Sequence, residues 1–120
     1  MKTRFIFLSV LCLFFFSAFG QVPQGINYMA IARDGAGEPI RNTTLPVRIT
    51  IQTLSTGGTI IWQETHNALT DNFGVFSVVV GTGTRVGGVT SFGSVKWDGQ
   101  VLYILTEIKY QVNNSYYTSL

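Results

Sequence analysis

The sequence predicts an all-β fold: two packed antiparallel sheets of six to seven strands, with a closed barrel as the alternative. Three observations predict it. Glycine is abundant and proline sparse, with 13 and 3 in 120 residues. β-Branched and aromatic residues recur in short runs separated by polar or glycine-containing turns. No window sustains a helical period. The length suits one domain, and no internal repeat, low-complexity tract or linker divides it.

The elements follow in order. Lys2 and Arg4 precede an apolar run from Phe5 to Phe16 broken only by Ser9, and Ser17, Ala18 and Gly20 supply small residues after it. This is the pattern of a secretion signal over residues 1–20, leaving Gln21 as the new terminus and 21–120 as one folded unit. The apolar run is shorter than the ~20 residues that span a bilayer, so no stable membrane insertion is expected after cleavage. Cys12 follows Leu11, where a lipidation site wants a small residue. It is also the only cysteine. The processed chain therefore has no disulfide and no thiolate for zinc, and its stability must come from packing.

Ile26 to Ala32 opens the folded part, and Asp34-Gly35-Ala36-Gly37 supplies a turn. Val47, Ile49 and Ile51 alternate with Arg48, Thr50 and Gln52, a strand with one buried face. Gly57-Gly58 turns the chain into Thr59–Leu69. There Trp62, Glu64 and His66 share one face and Ile61, Gln63 and Thr65 the other, so neither face is cleanly apolar. Asp71-Asn72-Phe73-Gly74 is a second turn. Val75 to Val80 is apolar on both faces, which predicts a central strand. Gly81 to Gly93 reads as a long loop holding one short strand, Val101 to Val112 as an extended strand, and Tyr116 to Leu120 as the start of a last one.

Charge excludes some partners. Apart from Lys2 and Arg4, the chain carries six cations matched by six anions, and neither sign forms a run. Nucleic-acid affinity needs clustered Lys and Arg, and an anionic membrane needs a polybasic patch; neither is expected as a partner here.

Two patterns carry a resemblance. Ile31-Ala32-Arg33-Asp34 with Gly37-Glu38-Pro39-Ile40, and Thr70-Asp71-Asn72-Phe73-Gly74-Val75-Phe76, resemble the turns of transthyretin-like and carboxypeptidase-regulatory-like domains, implying a transthyretin-like or immunoglobulin-like β-sandwich. A closer likeness runs through Gln21-Val22-Pro23-Gln24-Gly25-Ile26-Asn27-Tyr28, Ala30 to Asp34, Trp62-Gln63-Glu64-Thr65-His66, and Phe92 with Val95 and Trp97. It is similar to the uncharacterised N-terminal module of large secreted or surface proteins of Gram-negative bacteria with a type IX secretion pathway. The resemblance implies a structural or adhesive setting and supplies no catalytic residues. Met29 stands where that family usually has glutamine. The family's pattern also continues into a further strand beyond the position of Leu120. The expectation is therefore a domain lacking that strand or a truncated product of a larger surface protein, with an open sheet edge that self-associates or accepts a strand.

The residues with chemistry to offer are few. His66 is the only histidine, and Glu64 lies two residues before it on the same face, a spacing at which both reach one metal. A catalytic zinc takes three protein ligands, and no third can be named. Gly88-Val89-Thr90-Ser91-Phe92-Gly93 has one residue too many for a nucleophile elbow, and no helix follows Ser91. Gly81 to Gly88 resembles a phosphate loop in glycine content, but Val89 stands in place of its lysine. Asp34 with Glu38, or Asp71 with Asn72, offers oxygens to calcium, although the turn role explains them as well. Asn42-Thr43-Thr44 and Asn113-Asn114-Ser115 fit the glycosylation sequon. Trp62 with Glu64 and His66 forms the candidate ligand-binding face, as a platform for a glycan or peptide; Trp97, after Phe92 and Val95, reads as a plug at one end. The expected function is a non-catalytic structural or interaction module, secreted or at the cell surface, with no cofactor, no catalytic site and no metal site. The alternatives are a small glycan- or peptide-binding domain and a fragment of a larger surface protein.

Overall fold

The alternation from Leu45 to Ile51 makes β2 (Thr44–Gln52) the central strand of the larger of two sheets. The computed structural model describes residues 24–110 and 116–118. The remaining strands are β1 (Ile26–Ile31), β3 (Ile60–Leu69), β4 (Val75–Val80), β5 (Thr84–Gly88), β6 (Tyr103–Lys109) and β7 (Tyr116–Thr118). One sheet has the order β5-β3-β2-β6-β7 and the other is β1 paired with β4. Every pairing is antiparallel. The fold is all-β, with no α-helix among the described residues and hence no helix long and apolar enough to cross a membrane. The expected secretion signal over 1–20 and the second sequon at Asn113 lie outside the described residues.

β2 presents Leu45, Val47, Ile49 and Ile51 to the interior, each with at most 1% of its surface exposed. Each such aliphatic side chain contributes about 1.5–3 kcal/mol by leaving water. Pro46 is tolerated in this central strand because β6 pairs with β2 only from Val47 onward, so Pro46 has a strand neighbour on one side alone. Opposite, β4 turns in Phe76, Val78 and Val80, and β1 adds Ile26, Tyr28 and Ala30. Side chains of both sheets join one hydrophobic cluster. Phe92 and Val95, from and after the 3-10 turn Phe92–Ser94, complete it.

The expectation of a central position for Val75–Val80 is corrected. Among the described residues β4 pairs only with β1, and Val79 is 40% exposed. The sheet has one wet face, because its partner strand turns Asn27, Met29 and Ile31 outward. Apolarity on both faces of a six-residue run therefore marks a solvent-facing apolar surface here, not burial on two sides.

The two aspartate turns are the same device used twice. Asp34 Oδ1 accepts the N–H groups of Ala36 and Glu38, and Asp71 Oδ1 those of Phe73 and Val75. In each turn the aspartate N–H donates to the carbonyl four residues on, and the glycine N–H three residues on returns to the aspartate carbonyl. The glycines, Gly37 and Gly74, hold φ of 84° and 79°, a region open to glycine at little cost. The turns are stitched together: Ala32 N–H donates to Gly74 O, Asn42 N–H to Asp71 O, and Asn42 Nδ2 to Asn72 Oδ1. A Cβ on Gly74 would stand 2.9 Å from Ala32 O and 3.0 Å from Pro39 Cβ, so glycine is also needed for this close approach.

Candidate functional site

The register of β3 on β2 decides where the candidate face points. Trp62 lies opposite Ile51, Glu64 opposite Ile49 and His66 opposite Val47, so all three side chains share the buried face of β2. Trp62 is 4% exposed and Glu64 0%, and the His66 side chain is 12% exposed. A half-exposed polar surface at Glu64 and His66, the ordinary reading of such a strand face, is thus corrected, while Trp62 takes the core packing that is the ordinary alternative to a ligand platform. The polar groups sit inside because they satisfy one another there.

Glu64 is the hub. Its Oε2 accepts the Trp62 indole N–H at 2.9 Å, and its Oε1 lies 2.6 Å from His66 Nε2, which donates in the tautomer carrying its proton there. The Gly81 N–H is shared between both oxygens at 2.8 and 2.9 Å. A buried carboxylate is tolerated only when its lone pairs are filled in this way, and hydrogen bonds to a charged group contribute about 1.5–3 kcal/mol each. Because Gly81 directly follows β4, the carboxylate ties the end of the smaller sheet to β3 of the larger one.

Glycine is required at position 81. Its φ is 104°, and a Cβ there would come within 2.5 Å of the Phe92 ring. Phe92 in turn meets Trp62 edge-on at 5.6 Å and Trp97 at 5.5 Å. Phe92 and Val95 are buried while Trp97 is 47% exposed, so this aromatic row closes one end of the core with its last ring at the surface. Gly83 leaves room for the imidazole, since a Cβ there would stand 2.6 Å from His66 Nε2.

The chemistry open to this arrangement is narrow. A general base must reach the proton it takes, and among the described residues no serine or threonine hydroxyl is bonded to His66. Ser91 Oγ pairs with Ser94 Oγ at 2.8 Å. The glycine-rich segment gives its Gly81 amide to a carboxylate rather than offering it to a phosphate, and Arg85 folds back onto the carbonyls of Gly88 and Val89. In both aspartate turns Oδ1 accepts two backbone donors, which is the turn role of these residues. Among the described residues no three His, Cys, Asp or Glu side chains gather as metal ligands.

The accessible feature lies on the other sheet. An open groove of about 360 Å³ is lined by Asn27, Tyr28, Met29, Ser77, Val78 and Val79, with Met29 70% exposed. Neither this groove nor the bond of Gly81 to Glu64 was expected from the sequence, whereas the Phe92–Trp97 segment closes one end as expected. The available signals were Gly-Thr-Gly directly after an apolar strand, and the mixed Asn-Tyr-Met-Ala-Ile alternation of β1.

No curated protein and no solved structure matches the chain. A family model matches over residues 27–118, from β1 through β7, and on that span the chain belongs to the family described as a domain of unknown function, DUF8740.

Proposed function

We propose that this chain is a non-catalytic interaction module of an exported protein, a β-sandwich of seven strands that works through an open sheet rather than through a pocket. The observation that carries the reading is the contrast in how polar groups are used. Trp62, Glu64 and His66 spend their hydrogen-bonding capacity on one another and on Gly81, whereas the two-stranded sheet keeps an uncharged apolar face in solvent. Exposed apolar surface of this kind is a usual mark of an interaction site. The charged and then apolar start of the chain supports export, and the likeness to N-terminal modules of type IX-secreted surface proteins supports a structural or adhesive setting.

Expression of the full chain in a Gram-negative host tests the reading. The expected product is outside the cytoplasm and begins at Gln21; an unprocessed cytoplasmic product would defeat the export reading. Hydrolase activity that disappears in His66→Ala would defeat the non-catalytic one. The glycan- or peptide-binding alternative on Trp62 predicts fluorescence quenching by one ligand class, lost in Trp62→Phe. The burial of the indole weighs against it.

A further inference from the structure

The hydrogen bonds already made by β4 identify which edge of the smaller sheet is open. Val75 gives its N–H to Asp71 Oδ1 and its carbonyl accepts from the Asp71 N–H. The Val79 carbonyl accepts both the N–H and the hydroxyl of Thr82. Val75, Ser77 and Val79 therefore direct their backbone groups away from β1; the turns take both Val75 groups and the Val79 carbonyl, which leaves on this edge only the Ser77 backbone and the Val79 N–H between two capped ends. In an antiparallel ladder such groups alternate from side to side along each strand. Phe76, Val78 and Val80 hence bond to β1, through Ala30, Tyr28 and Ile26, their register partners. Ala32 continues the series by donating to Gly74 O. Among the described residues, what remains unpaired on the far side of β1 is the backbone of Asn27, Met29 and Ile31.

The other edges are blunted. β5 is short, carries two glycines and a register shift against β3, and its Arg85 caps the carbonyls of Gly88 and Val89. β7 has three residues. Such shortening, irregularity and charge are the usual protection of a sheet edge, and β1 has none of them: Ile-Asn-Tyr-Met-Ala-Ile contains no charge, no proline and no glycine.

The geometry points to a second copy of this chain as the occupant, paired antiparallel along β1 about a two-fold axis at Met29. This rests on the reading of an open interaction sheet and names its partner. The three free residues are spaced symmetrically about Met29, so the axis sets Met29 against Met29 and Asn27 against Ile31, and each copy meets the other's unpaired donors and acceptors. Arg33 then falls opposite Gly25, which has no side chain. Asn27, Met29, Ile31, Val75, Ser77 and Val79 make up the outer face, and all are uncharged. Two copies meet there without repulsion, and a partner selected by charge has nothing to read. Two two-stranded sheets become one four-stranded sheet, above the three strands that independent stability usually needs.

The test uses the exported protein, whose chain from Gln21 onward carries no cysteine of its own. Sedimentation equilibrium is expected to give a monomer–dimer equilibrium, with the dissociation constant raised at least tenfold by Met29→Lys, which sets like charges on the axis. Met29→Cys is expected to oxidise to a dimer, while Ser77→Cys on the neighbouring strand stays monomeric. Amide exchange at Asn27, Met29 and Ile31 should be fast in dilute protein and slow in the dimer, whereas Tyr28 and Ala30 are protected in both. A monomer at millimolar concentration with those three amides fast overturns the second copy and leaves the open edge standing. Slow exchange at all three in the monomer overturns the open edge as well. A dimer indifferent to Met29→Lys places the interface elsewhere and overturns the proposal.

Discussion

The two sheets solve the problem of their own boundaries in opposite ways. The five-stranded sheet encloses its polar residues and ends in short or irregular strands; the two-stranded sheet encloses only apolar side chains and leaves one long edge and one apolar face in solvent. Five strands with an internal carboxylate hub are held by their own contacts. Two strands are held chiefly by Phe76, Val78 and Val80 in the shared core and by the single tie from Gly81 to Glu64. The difference teaches that unusual residues in a small β domain do not mark function by themselves. Here His66, Glu64 and Trp62 turn inward and bond to one another, while a stretch of aliphatic and amide side chains on β1 faces outward.

Substitutions can break this contrast, and the largest effect is expected at its hub. Glu64→Ala strands the Trp62 indole N–H, the Gly81 N–H and His66 in the interior, and should cost about 3–5 kcal/mol in urea unfolding, because three buried donors lose their acceptor at once. Gly81→Ala acts on the same tie from the other side, through a φ that alanine resists and a clash with Phe92; a loss of about 1–3 kcal/mol is expected, with the near-ultraviolet dichroism of the Trp62–Phe92 pair altered. A loss at Glu64 below that of a surface substitution would mean the carboxylate is not the hub described.

Smaller effects sharpen the comparison. Asp71→Ala removes two hydrogen bonds at the entry to β4 and should cost about 1–2 kcal/mol by thermal unfolding. Asp34→Ala removes the same two bonds from a hairpin farther from the sheet and should cost less; equal losses would argue that the turns are energetically as well as geometrically alike. Thr106 lies opposite Ile49, buried, with its hydroxyl unpartnered. Thr106→Val should be neutral or stabilising by up to about 1 kcal/mol, because it removes an unpaired polar group without changing shape.

How much of this could be read from the residues depended on whether the signal was local. The alternation of β2 located its apolar buried face, although Thr50 and Gln52 on the opposite face are buried too, and the Asp-x-x-Gly spacing located both turns. The status of β4 was not legible, because a run apolar on both faces looks the same whether the second face is covered by protein or by water. The Trp62–Glu64–His66 face was misjudged for a related reason. Polar side chains on a strand read as exposed unless their partners are known, and the decisive partner is the Gly81 amide, seventeen positions away along the chain. The open edge expected from the sequence lay beside the last strand of the chain, and nothing in the residues pointed to β1. Which backbone groups are free follows from the bonds that Asp71 and Thr82 make to β4, and no spacing in the sequence announces those.

The passage from β4 to β5 takes only residues 81–83, whereas β1 reaches β2 through residues 32–43. A link that short acts as the spine of a book: the layers can pivot about it but cannot slide past each other. Melting should accordingly begin with β1 lifting away, and anything that clasps β1 from outside would latch the covers shut.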